Sequence, residues 1–226
     1  MVLTTVVATA VRDRADLVAP FLESAKVALP ADVPVVAWLD PLSRDVGVDW
    51  LVERGIHAVV TLPVASTDSP KVRVRRMRAD AARYARDVGA SRVLYLDSDV
   101  VLSRGFWPEF ERLWGHLHEA RCGALSLGNL GLYDRHVVER LPRLRATVRK
   151  FALGSCLAFP VTDLLLDVAG EDPGPGSWDT HFSRAVAGCR VLTSDESFLR
   201  HDGRYSGMCA ATAYGLDYQN LAFDLR

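Results

Sequence analysis

The sequence predicts an α/β chain, a single domain on a mostly parallel central sheet with helices on both faces. Three observations carry this. Short β-branched or apolar runs alternate with segments of helical periodicity along most of the chain, the pattern of strands joined by crossover helices. The run Val93-Leu94-Tyr95-Leu96 is apolar without alternation, as a strand covered on both faces must be, and it stops abruptly at Asp97-Ser98-Asp99. A length of 226 residues, 49% apolar and 24% charged, is enough for one globular domain with a substantial core.

Taken in order, Leu3 to Val11 is a β-branched run and reads as the first, central strand, with Arg12-Asp13-Arg14 as its carboxyl-end loop. Leu17, Phe21, Leu22, Ala25 and Leu29 recur at helical spacing up to Pro30; Pro20 fits only if it lies in the first turn. Val33 to Leu39 is the second strand, ending in Asp40-Pro41. Asp49 to Arg54 reads as a short helix stopped by Gly55, and His57 to Leu62 as a third strand. The breaker-rich loop Ala65 to Pro70 opens a long helix, Lys71 to Val88, closed by Gly89. The Asp97 strand follows, then a helix from Phe106 to Glu119 and a strand from Gly123 to Leu127. Leu132 to Lys150 is arginine-rich with weak periodicity. Phe151 to Phe159 is strand-like, Val161 to Val168 helical, Gly170 to Gly176 a loop, Asp179 to Ala187 a helix and Arg190 to Thr193 a strand. Beyond His201 the tail is irregular.

Lys and Arg total 27 against 28 Asp and Glu, so a general nucleic-acid coat is not indicated, although local basic stretches exist. Cys122, Cys156, Cys189 and Cys209 are scattered, with no C-x-x-C pair. They read as reduced thiols of a cytoplasmic protein, not a disulfide frame or zinc site. The apolar start lacks a basic leader and runs into Arg12-Asp13-Arg14, and no apolar run nears the ~20 residues of a membrane helix.

Asp97 and Asp99 carry the chemistry. At an extended strand end, residues i and i+2 point the same way, so the two carboxylates converge. Two acids so close repel, and a divalent cation with oxygen ligands keeps both ionised while holding phosphate oxygens. The carboxyl end of a strand is also where open α/β sheets hold ligands. The bland alternative is a solvated turn, which Asp and Ser favour.

These residues carry a resemblance. Val6-Val7-Ala8-Thr9-Ala10 with Arg12, Val36-Ala37-Trp38-Leu39-Asp40, and the helix from Lys71 leading to Val93-Leu94-Tyr95-Leu96-Asp97-Ser98-Asp99 make up its first half. Gly154-Ser155-Cys156-Leu157-Ala158-Phe159, Trp178-Asp179 and the late His201 complete it. Together they resemble a glycosyltransferase of the GT-A fold, closest to the inverting family 2 type. The helix lacks the asparagine often found there, and Trp178-Asp179 has no preceding Glu.

The resemblance implies a Rossmann-like domain, with residues 1–105 binding the nucleotide-sugar donor and 106–226 the acceptor. It implies Mn²⁺ or Mg²⁺ held by Asp99 and Asp97, with His201 completing the shell, and Asp179 as general base. Asp40 would receive the nucleotide base. Thr9, Ala10, Arg12, Lys71, Arg75, Arg78 and Ser98 would line the donor site, and Gly154, Ser155 and Trp178 the acceptor site. From spacing alone, Lys71, Arg75 and Arg78 share one helix face, which could equally be a solvated basic face. Asp before an apolar helix is equally what N-capping predicts for Asp179. The compact size and the stretch Arg140, Arg143, Arg145, Arg149, Lys150 also fit the phage TET-associated group, whose acceptor is a hydroxylated DNA base such as a 5-hydroxymethyl pyrimidine. Two other readings stay open: a haloacid-dehalogenase-type phosphatase, with Asp97 as nucleophile and Asp99 as acid/base, and a noncatalytic nucleotide-sugar-binding module.

Overall fold

The computed structural model describes residues 5–61, 68, 70–128, 136–152, 155–171 and 178–201, with the side chains of Pro70, Lys71 and His201 outside that description. The elements alternate as the sequence predicts: β1 (Thr5–Val11), α1 (Ala15–Ala28), β2 (Val35–Leu39), α2 (Val48–Glu53), β3 (Ala58–Thr61), α3 (Pro70–Asp87) and β4 (Arg92–Asp97). Then come β5 (Val100–Leu102), α4 (Phe106–Trp114), β6 (Ala124–Ser126), β7 (Val137–Leu141), β8 (Ala146–Arg149) and β9 (Cys156–Pro160). The described part closes with α5 (Asp163–Gly170), α6 (Trp178–Ala185), β10 (Val191–Ser194) and β11 (Leu199–His201).

Nine of the described strands form one sheet in the order β3-β2-β1-β4-β9-β6-β10-β8-β7. The first four run parallel, with Val11 beside Leu39, Leu39 beside Thr61 and Ala10 beside Asp97, so four carboxyl ends gather at one edge of the molecule. β9 enters antiparallel to β4, β10 pairs parallel with β6, and the β7–β8 hairpin closes the far edge antiparallel. Each central strand serves two cores, because successive side chains point to opposite faces. Val7, Val11, Ala37, Leu94 and Leu96 pack against α1, α2 and α4. Val6, Ala8, Trp38, Val93 and Tyr95 pack against α3, α5 and α6. Both faces are therefore apolar, which is why the Val93–Leu96 run shows no alternation.

Four expectations need correction. Pro20 lies well inside α1, not in its first turn. It is tolerated because it and Asp16, whose carbonyl loses its helical donor, are both exposed, so water can take that place. The arginine-rich middle is the β7–β8 hairpin; its buried strand carries Arg149, only 6% exposed, and that charge hides the strand pattern. The strand does not stay extended through both acids, because β4 ends at Asp97. Ser98 and Asp99 form a turn, and β5 then pairs with β11 in a separate two-stranded sheet. Finally, α6 opens at Trp178, so Asp179 lies inside its first turn and is not the capping residue.

Cys122, Cys156 and Cys189 are free thiols, as read from the sequence; burial pushes Cys156 up to about 12 and Cys122 up to about 11. Cys209 lies outside the described residues. Among the described residues no helix is long and apolar enough to cross a membrane.

Gly123 enters β6 directly against the segment after α6: a Cβ there would lie 2.7 Å from Ala187 Cα and 3.1 Å from the Val186 carbonyl oxygen. Backbone cannot yield as a side-chain tip can. Gly123→Ala is expected to cost about 1–3 kcal/mol, the usual range for overpacking, read as a lower melting temperature with the fold retained.

Candidate active site

β1 lies between β2, which continues to β3, and β4, so the crevice at its carboxyl end is the switch point where open α/β sheets hold ligands. Two loops border that crevice and are laced together. Asp13 Oδ1 accepts the Arg44 N–H at 2.5 Å, the Asp13 N–H reaches Ser43 Oγ at 3.1 Å, and Asp45 Oδ2 caps the Ala15 N–H at 3.1 Å. The Arg44 N–H is the main cause holding the Asp13 carboxyl below its ordinary value. Asp13 and Arg14 both take left-handed backbone (φ 50° and 65°), an unusual state for two consecutive non-glycine residues that the lacing maintains.

That strained turn carries Arg14 to Asp99, Nη1 to Oδ2 3.7 Å. On the other side of the turn, Arg78 Nη2 lies 3.3 Å from Asp97 Oδ1. The two acids thus meet guanidinium groups from different elements, α3 and the β1 loop. Asp99 sits in the turn after β4, not two residues further along an extended strand. The Asp97 N–H donates to the Ser155 carbonyl at 3.2 Å, which holds the start of β9 against the turn.

Arg78 is 8% exposed. Its guanidinium carbon stands 3.2 Å above the Trp178 ring, and its carbonyl accepts the Tyr95 hydroxyl at 3.1 Å. Burial pushes its pKa down to about 10, against the opposing pull of Asp97, Asp179 and Tyr95, so it stays charged near neutrality. Trp178 and Phe182 stand edge-on to Tyr95, fixing α6 against β4. Asp179, the next residue, accepts the Thr180 N–H through Oδ1 at 2.9 Å. Thr9, Ala10, Trp38 and Tyr95 line a small recess with Arg78; the Thr9 hydroxyl and Arg78 Nη1 are buried there without hydrogen-bond partners.

Asp40, 3% exposed, ends β2 as expected. Its Oδ1 accepts the Leu42 N–H at 2.9 Å, and its Oδ2 faces Arg12 Nε at 3.6 Å and Arg73 Nε at 3.4 Å. Of the other selected residues, Ser98 lies in the turn, Ser155 is buried beside it, and Arg75 is half-buried on α3. Gly154 and the side chains of Lys71 and His201 lie outside the described residues. The backbone of His201 pairs with Val100, so β11 runs beside the Asp97–Asp99 turn. Trp107 and Trp114 ring Arg92 with Phe110 at the amino end of β4, far along the strand from the turn; Arg92 also bonds Thr5 and Glu111 there. Tyr205 and Tyr214 lie outside the described residues.

The carboxylates of Asp97 and Asp99 are hard oxygen donors whose chemistry fits Mn²⁺ or Mg²⁺. Among the described residues no cluster of three potential ligands forms, so the remaining positions would fall to waters, donor oxygens or His201.

No family model matches this chain, and no curated protein does. Solved structures do. Residues 1–349 of Staphylococcus aureus TarS in complex with UDP-GlcNAc superpose with a TM-score of 0.60 at 17% identity, over 87% of this chain and 57% of that one. The mannosyltransferase PcManGT from Pyrobaculum calidifontis, in complex with GDP-Man and Mn²⁺, gives 0.54 at 18% identity, over 84% and 56%. The fold is GT-A. This GT-A chain spans little more than half the length of either structure, and at such identities the likeness is one of fold.

Sequence reading missed two site residues of the GT-A crevice, Arg14 and Arg73. Arg73 had a signal: it shares the i, i+4 row of Met77, Ala81 and Ala85, all buried, so helical spacing alone turns it inward to Asp40. Arg14 had none, because its direction comes from two left-handed residues.

Proposed function

We propose that this chain transfers a sugar from a nucleotide-diphosphate sugar to an acceptor hydroxyl, with inversion. The observation that carries the proposal is the pair Asp97 and Asp99 in one turn at the GT-A switch point, with Asp179 beside the Arg78–Trp178 stack. Asp40 and Arg12 form the base end of the donor site. Thr9, Ala10, Lys71, Arg75 and Ser98 form its phosphate and sugar end, whereas Arg78, which sequence spacing groups with them, turns its guanidinium to Asp97 and Trp178. Gly154, Ser155 and Trp178 border the acceptor.

In the reaction, the Asp179 carboxylate takes the proton of the acceptor hydroxyl. The hydroxyl oxygen then forms its bond to the anomeric carbon on the face opposite the phosphate. The bond from that carbon to the phosphate oxygen breaks, and its electron pair leaves with the nucleoside diphosphate. Asp97 and Asp99, with His201, would hold a divalent cation, which would supply positive charge toward that leaving group. One carboxylate serves as base because the nucleophile comes from the acceptor. With a GT-A fold the phosphatase reading lapses, whereas a noncatalytic donor-binding module differs only in lacking turnover.

A hydroxylated DNA base is the second acceptor reading, favoured by the exposure of Arg143, Arg145 and Lys150 along the β7–β8 hairpin. Arg149 is buried and takes no part in such a surface, and Arg145 is paired with Glu196.

Calorimetric titration with UDP, GDP, ADP, CDP and dTDP, with and without Mn²⁺, tests the donor half alone. One of them should bind in a cation-dependent way; binding of none would overturn the donor reading.

A further inference from the structure

Arg78 stands in an unusual position for a phosphate-binding arginine. It is turned inward from α3, with Ala82 and Ala85 on the same inward row of the helix, and is 8% exposed. One nitrogen faces Asp97 at 3.3 Å, and the guanidinium carbon lies 3.2 Å from the ring centroid of Trp178, the residue peptide-bonded to Asp179. Three separate parts of the chain, α3, the end of β4 and the start of α6, therefore meet on a single guanidinium.

We infer that Arg78 is the positioning residue that joins the donor side of the site, at Asp97, to the acceptor side, at Trp178 and Asp179. This rests on the reading of Asp179 as base. Guanidinium suits the task and ammonium does not: it is flat enough to stack on an indole while offering in-plane donors to carboxylates, and it stays charged when buried. Asp179 follows Trp178 directly in the chain, so the ring under Arg78 carries the base, and the Tyr95 hydroxyl holds the backbone of Arg78 by donating to its carbonyl at 3.1 Å. The groups around Arg78 are thus Asp97, Asp179, Tyr95 and Trp178. Without the bridge, α6 keeps its apolar contacts through Phe182, but the base loses the group that orients it relative to the donor. A misplacement of about 1 Å in a reacting group can cost on the order of 10²-fold in rate.

The test is a pair of double-mutant cycles between Arg78→Gln and Asp179→Asn, one on melting temperature and one on kcat. Arg78→Lys repeats both should the Gln variant fail to fold. In the stability cycle, Arg78→Gln should lower the melting temperature by clearly less in the Asp179→Asn background than in the wild type. In the kinetic cycle, Arg78→Gln alone should lose about 10²-fold in kcat with nucleoside diphosphate affinity little changed, and much less once Asp179 is Asn. Additive melting shifts would overturn the bridge whatever the protein catalyses. Coupled melting shifts with additive rate losses would overturn the positioning role and leave the base assignment standing. An Asp179→Asn variant of full activity would instead count against the base, and with it against this role for Arg78.

Discussion

Asp179→Asn is expected to transfer sugar about 10²–10⁴-fold more slowly than the wild type, the usual contribution of a positioned general base. Donor affinity should hardly change, and the melting temperature should fall only by the coupling to Arg78 that the double-mutant cycle reads. The reason lies in what Asn keeps. Asp179 Oδ1 accepts the Thr180 N–H at 2.9 Å, and an Asn carbonyl can accept that bond equally well. What Asn cannot do is take a proton from the acceptor. Asp179→Ala, by contrast, also gives up that hydrogen bond at the helix start and should lose roughly 1 kcal/mol of stability. Transfer kinetics beside melting curves separate the two roles. An Asn variant with full activity would make Asp179 a helix-start carboxylate and nothing more.

Asp99→Asn is expected to produce the second large effect, on the donor rather than on the proton. Substitutions in the outer shell of metal sites commonly cost 10–100-fold in affinity, and loss of a direct carboxylate ligand should cost at least about that much. Cation-dependent nucleoside diphosphate binding should therefore fall by that factor or more. The fold should survive, because Asp99 lies in a turn and Arg14, its partner, is one-third exposed, so water can solvate the guanidinium once it is released. Calorimetry on the variant checks this directly. Unchanged Mn²⁺-dependent affinity would remove Asp99 from the cation site.

How much of this was legible in the sequence depends on the scale of the feature. The parallel half of the sheet could be read because its strands are buried on both faces and separated by helices of clear period, as Val93–Leu96 and α3 illustrate. The β7–β8 hairpin could not. β7 is an exposed edge strand, and Arg149 on β8 is a buried charge, so neither shows the alternation of an ordinary antiparallel strand. The candidate site was legible as a set of carboxylates, since Asp40, Asp97 and Asp99 each end a strand or follow one. Their arginine partners were not. Arg78 read as one of three cations on a helix face, whereas in the fold it turns inward and stacks on Trp178. Arg14 reaches Asp99 only because Asp13 and Arg14 hold a left-handed turn that the Ser43–Asp45 loop pins in place. Such contacts depend on loop geometry from distant parts of the chain, for which local periodicity carries no information.

The proposed reaction has the Asp97–Asp99 turn and Asp179 together move a sugar off a nucleotide diphosphate. The most direct measurement is release of nucleoside diphosphate from a panel of nucleotide sugars by the wild-type protein. It is run with Mn²⁺, with Mg²⁺ and with chelator, each with hydroxymethylated duplex DNA, with glycan acceptors and with no acceptor added. Release is expected from at least one donor; it should need the cation, be stimulated by one acceptor class, and be lost in both Asp99→Asn and Asp179→Asn. Tight donor binding with no release under any of these conditions would contradict it and make the chain a noncatalytic nucleotide-sugar-binding module.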